Sequence, residues 1–175
     1  MGFAQSSDLC GDVMGVHSVF VVSRISKSLL YSRYFESEEL LSCVNKHDFE
    51  KYLLLHTNRY WVNLDTGDDR FCICLDGTIV VLVLGVGNVL VYVNGTKEMD
   101  EATLPEPGEA LRDLILELVS QQYGIWDIAK IDESHLVENS DLYTKFAMCV
   151  DEMIPFGVVE QLDPKELIRL IKMKE

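Results

Sequence analysis

The residues that could do chemistry in this chain are few and scattered. Cys72 and Cys74 stand two apart, which on a β-strand puts both sulfurs on one face, where they could begin a metal or redox site. Zinc would need further ligands at recognisable spacing, and His17, His47, His56 and His135 occur singly. Packing is the preferred reading of the two thiols, because cysteine outside a disulfide behaves as a small buried hydrophobe; a thiol or metal enzyme is the competing one. Asp151 and Glu152 are adjacent, so a helix turns them to different faces and denies them the geometry of a facing carboxylate pair. Gly85-Val86-Gly87 lacks the third glycine of a dinucleotide loop, and apolar strand follows where a helix should begin. G-x-S-x-G, H-E-x-x-H and P-loop patterns do not occur. The expectation is a non-catalytic protein with no metal and no cofactor.

What such residues would need is a scaffold, and the strongest scaffold signal is Thr78 to Gly95. Two β-branched runs, Ile79 to Leu84 and Val89 to Val93, flank the joint Gly85 to Asn88 and predict an antiparallel hairpin. Both runs are almost continuously apolar, whereas a strand with one wet face alternates, so the hairpin belongs in the middle of a sheet covered by helices on both sides. A membrane helix over Thr78 to Val93 would reach roughly 24 Å, short of a bilayer core of roughly 30 Å.

The other elements follow from pattern and punctuation. Residues up to Gly15 read as a flexible N-terminal tail, and residues 16–175 as a single domain. Val16 to Ser23 and Leu29 to Phe35 form a first hairpin. Ser37, followed by Glu38 and Glu39, looks like the cap of a helix running to His56, although its apolar stripe is imperfect near Asn45. Some strand character is expected at Tyr60 to Leu64. Phe71 to Leu75 makes a further strand, with Asp76-Gly77 as its hairpin turn. The acidic stretch Lys97 to Glu109 reads as a loop. It could meet a basic partner or simply be solvated. A helix then carries Leu111, Leu114, Ile115, Leu118 and Val119 and stops at Gly124. Another spans Ser140 to Met153. The last starts at Asp163-Pro164, where Asp163 caps, Glu166 completes a box-like pair and Leu162 staples to Leu167, so it should dock on the body.

The 175 residues carry 15 basic and 29 acidic side chains, a net charge of −14. Such a chain is repelled by phosphate backbones and anionic lipid, which points away from nucleic acid and towards basic protein partners. Five cysteines in an odd, spread set, with no signal-peptide pattern at the N-terminus, lead to the expectation of a reducing, cytosolic location. Trp61 and Trp126, both in connecting segments, could belong to a partner surface or pack under a loop.

Strand, strand, helix, three strands, then helices is the element order of a longin domain, and several stretches resemble the zeta-subunit family of coatomer. VFVVSRISKSLLYSRYF resembles that family's opening hairpin, Phe49 to Arg59 the end of its first helix, and Leu75 to Gly95 its central strands. Phe146 to Pro164, FAMCVDEMIPFGVVEQLDP, is similar to its closing helix, with the Asp-Glu, Gly-Val-Val and Asp-Pro in place. The 60–70 loop, the Pro105 and Pro107 segment and the 124–139 connection depart from the pattern. The resemblance implies a longin-like α/β (α+β) domain, a five-stranded antiparallel sheet sandwiched by helices, with a C-terminal docking helix. It implies a small subunit of a COPI-type vesicle coat that stabilises a large helical-solenoid (gamma-type) subunit in Golgi–ER transport. Cytoplasmic, peripheral association with Golgi membrane and transport vesicles would come indirectly, through the complex and a small GTPase. A sigma small subunit of a clathrin-type adaptor and a longin-type trafficking regulator are the alternatives. If the sheet is ordered as in longin domains, Leu54, Leu55, Phe71 and Ile73 could line an apolar partner groove between the first helix and an edge strand, with ordinary core as the competing reading.

Overall fold

A computed structural model describes residues 15–35, 45–64, 70–77, 79–96 and 103–174. Its centre is one antiparallel sheet of β1 (Val16–Ser23), β2 (Leu29–Tyr34), β3 (Arg70–Leu75), β4 (Ile79–Val86) and β5 (Val89–Thr96), in the order β2-β1-β5-β4-β3. Helices α1 (Lys46–Thr57), α2 (Pro105–Tyr123), α3 (Glu133–Val137), α4 (Ser140–Met153) and α5 (Pro164–Met173) complete it. The protein is thus a mixed α/β fold, a five-stranded antiparallel sheet with helices, consistent with a longin-like arrangement.

The apolar hairpin is central, as its continuous hydrophobicity requires: every residue of β4 is buried, and β5 pairs with β1 on one side and β4 on the other. Side chains alternate between two separate cores. Val19, Val21, Val80, Leu82, Leu84, Val89, Val91 and Val93 face a cluster completed by α2, α4 and α5. Phe20, Val22, Ile79, Val81, Val83, Leu90 and Tyr92 face a second cluster with Phe49, Leu53, Trp61 and Leu64.

Turns set the register. Asp76 and Gly77 both take positive φ, 53° and 64°, the backbone a two-residue hairpin turn needs. The strands of the central hairpin extend further than their β-branched runs, through Gly85 and Val86, and leave a two-residue turn, Gly87-Asn88. Gly87, at φ 62°, lies under the connector after α2: a Cβ there would sit 2.3 Å from the Ile131 carbonyl oxygen and 2.6 Å from that of Ile128.

Several elements differ from expectation. Helix α1 starts at Lys46, capped by the Asn45 side chain, which accepts from Asp48 N; the expected cap at Ser37 lies outside the described residues. Residues 58–63 form a 3-10 turn rather than strand. Pro105 opens α2 instead of ending a loop, since proline's fixed φ and missing N–H suit the first helical turn. The connection 124–139 contains α3, capped at Asp132. Asp163 caps α5 by accepting from Lys165 N, but Glu166 pairs with Arg169 instead of returning to the cap. Leu167, Ile168 and Ile171 are buried, so α5 docks on the body as expected.

Candidate functional site

The residues with chemical potential do not converge. Cys72 packs against the cluster under α2, α4 and α5, but Cys74 is exposed, so packing accounts for only one of the two. Strand β3, which carries Cys74, lies at the sheet edge. Cys149 is buried in α4, and burial pushes its thiol up to about 12, which removes the thiolate a nucleophile needs. His17 is buried against Tyr34 and Phe49, His56 is exposed on α1, and the His135 ring accepts from Asp132 N at 3.1 Å in the α3 cap. Asp151 bonds Arg33 at 2.7 Å and Glu152 pairs with Lys174, so the adjacent acids tie two different elements, β2 and α5, to α4. Among the described residues, no three His, Cys, Asp or Glu side chains could hold a metal ion. No described helix is long and apolar enough to cross a membrane.

The four residues proposed for an apolar groove divide. Leu54 and Leu55 line a cleft of about 390 Å³ with Lys27, Lys51 and Trp61. Leu54 is half-buried against the second core, whereas Leu55 is 69% exposed. Phe71 and Ile73 lie elsewhere: both pack inward on the same core from β3, and the Phe71 ring meets Tyr60 at 5.2 Å. The reason is the 3-10 turn after α1. It places Tyr60 against Phe71 and inserts Trp61 into the second core, so the strand–helix gap is filled from within the chain.

That turn is held by a short relay of hydrogen bonds. The Trp61 indole donates to Tyr92 Oη at 2.9 Å, Tyr92 Oη lies 2.6 Å from Thr57 Oγ1, and Thr57 donates to the Leu53 carbonyl at 2.8 Å. With the Thr57 proton committed to Leu53, the tyrosine must be the donor to Thr57. Burial raises the Tyr92 pKa and keeps the phenol protonated for this role. Arg24 adds a clamp from the β1–β2 turn, donating to the carbonyls of Trp61 and Leu64 at 3.1 Å each.

Trp61 therefore belongs to the body, with its ring also forming part of the cleft. Trp126 is 67% exposed in the connector after α2. The cleft's lysines were missed by sequence reasoning; Lys27 sits in a turn 24 residues before Lys51, and only the fold brings them to one site. The apolar and lysine side chains of the cleft can bind and orient a partner side chain.

Compared with models of known protein families and with curated proteins, the chain gives no match.

Proposed function

We propose that this protein is a non-catalytic small subunit of a COPI-type vesicle coat, similar to coatomer zeta, that docks on and stiffens a large helical-solenoid subunit. The observation that carries this reading is the joint occurrence of a longin-like sheet order with the resemblance along Phe146 to Pro164. That stretch covers the second half of α4, the tight turn after it and the cap of α5, which tie the C-terminal helix to the body. An exposed leucine beside an apolar cleft also suits a chain that works covered by a partner. Cytoplasmic and Golgi-peripheral placement, reached through the assembled coat and its small GTPase, follows from the same reading.

Affinity purification of the tagged chain, followed by identification of its stoichiometric companion, tests it. The expected companion is a solenoid chain of coat-subunit size, retained by wild type and lost from Leu55→Asp. That substitution should change stability by no more than about 0.5 kcal/mol, because the side chain is largely in solvent. Leu54 is unsuited to the same test, since it packs on the second core. A stoichiometric companion of another class, or none, would refute the coat reading.

A further inference from the structure

The cleft beside α1 combines an apolar floor with two lysines that, among the described residues, form no ion pair. Leu54, Leu55 and the Trp61 ring supply the floor, and Lys27 and Lys51 the charge. Among the described residues, every Lys or Arg ion pair takes its carboxylate from between Glu109 and Glu166. Neither Lys27 nor Lys51 is in one. Asp76 is linked to the cleft through Tyr52, whose hydroxyl it accepts at 2.9 Å. Lys46, Arg59, Lys130, Lys165 and Lys172 are likewise in none of these pairs, so what marks Lys27 and Lys51 is their place together at an apolar opening of a chain with 29 acidic side chains.

We infer that this cleft receives an acidic amphipathic helix of the larger subunit, with its apolar side chains on Leu55 and Trp61 and its carboxylates on Lys27 and Lys51. The helical form of the occupant rests on the reading above, in which the partner is a solenoid. The charge preference rests on the cleft alone. Covering an ammonium group with neutral or basic surface costs desolvation with no compensating pair, so such segments are disfavoured even when their apolar residues fit.

The test is selection of a displayed library of helix-forming peptides, with randomised faces, on the purified full chain. Enriched sequences should combine Leu, Phe or Met with Asp or Glu, and their binding should weaken as salt is raised. Lys27→Glu with Lys51→Glu should leave the thermal melt unchanged and weaken those peptides roughly tenfold, as two rim charges would. Selection on this variant should favour Lys and Arg instead. Enrichment without charge bias, or unchanged binding to the variant, would overturn the proposal. So would concentration-dependent self-association abolished by the same charge reversal, which would make the occupant the acidic side of a second copy. Capture of a solenoid companion by the variant at the wild-type level would overturn the cleft assignment and leave the coat reading standing. Acid-biased selection without any solenoid companion would refute the coat reading and keep the cleft's charge preference.

Discussion

On one face of the sheet, α2, α4 and α5 bury an almost purely hydrocarbon cluster that includes Leu111, Leu114, Ile115, Phe146, Val150, Leu167 and Ile171. On the other, α1 and its 3-10 turn cover a smaller cluster richer in rings, with Phe20, Phe49, Trp61 and Tyr92 among its members and the Phe20 and Phe49 centroids 6.0 Å apart. Charge divides the same way. Residues 105–174 carry fourteen carboxylates against seven Lys and Arg, whereas residues 46–63 carry Lys46, Lys51 and Arg59 against Asp48 and Glu50. The thick face closes by burying aliphatic area, the non-directional route to stability. Among the described residues, the thin face has α1 and the 3-10 turn to cover it. It closes by large side chains and a directed hydrogen-bond relay, and leaves Leu55 and Val62, 69% and 86% exposed, at its outer edge.

The largest expected effect lies where the sheet meets the connector. Gly87→Ala forces a methyl into the Ile128 and Ile131 carbonyls at a backbone geometry that L-residues resist, and should cost about 3 kcal/mol or more. Denaturant unfolding would measure it. A loss below about 1 kcal/mol would mean that the connector is only loosely applied to the turn.

Tyr92→Phe attacks the thin face alone. It strips Trp61 and Thr57 of a shared buried partner and should cost about 1–3 kcal/mol. Hydrogen exchange should quicken over residues 53–64 while α2 amides from Leu111 to Val119 stay protected. Equal quickening on both sides would show that the faces open as one unit and that the division drawn above is not energetic.

The smallest effect is a gain. Phe156 holds φ 55° between α4 and α5 with its ring 92% exposed, and glycine adopts that backbone without the Cβ penalty. Phe156→Gly should therefore stabilise the chain by about 1 kcal/mol, read from the midpoint of chemical unfolding. A destabilised variant would mean that the ring packs on the thick face after all.

Local pattern was enough for much of the fold. Ile79 to Val93 reads as a central hairpin because continuous β-branched residues tolerate no wet face. Asp76-Gly77 reads as the turn from β3 into that hairpin because both positions need positive φ, and Ser140–Met153 emerged with the bounds its periodicity implied. Short elements were less legible. Helix α3 is five residues long, too brief for a period to show, and depends on the Asp132 cap and its contacts for its existence. Residues 60–64 carry strand-forming side chains, yet the Tyr92 hydroxyl draws Trp61 into a 3-10 turn, a tertiary contact overriding local preference. The candidate site was half legible: Leu54 and Leu55 were visible as apolar residues at the end of a helix, while Phe71 and Ile73 turned inward.

By itself, then, the amino-acid order determined what depends on neighbours in the chain: the longer strands and helices, where tight turns fall, and that the protein is strongly acidic. Only the tertiary structure decided which of its apolar residues are core and which are exposed, because burial depends on what packs from afar. Lys27 and Lys51 meet at one cleft because α1 folds back over the sheet beside the β1–β2 turn. That neither is in an ion pair among the described residues is likewise spatial, since the six pairs that other Lys and Arg make there take their carboxylates from between Glu109 and Glu166.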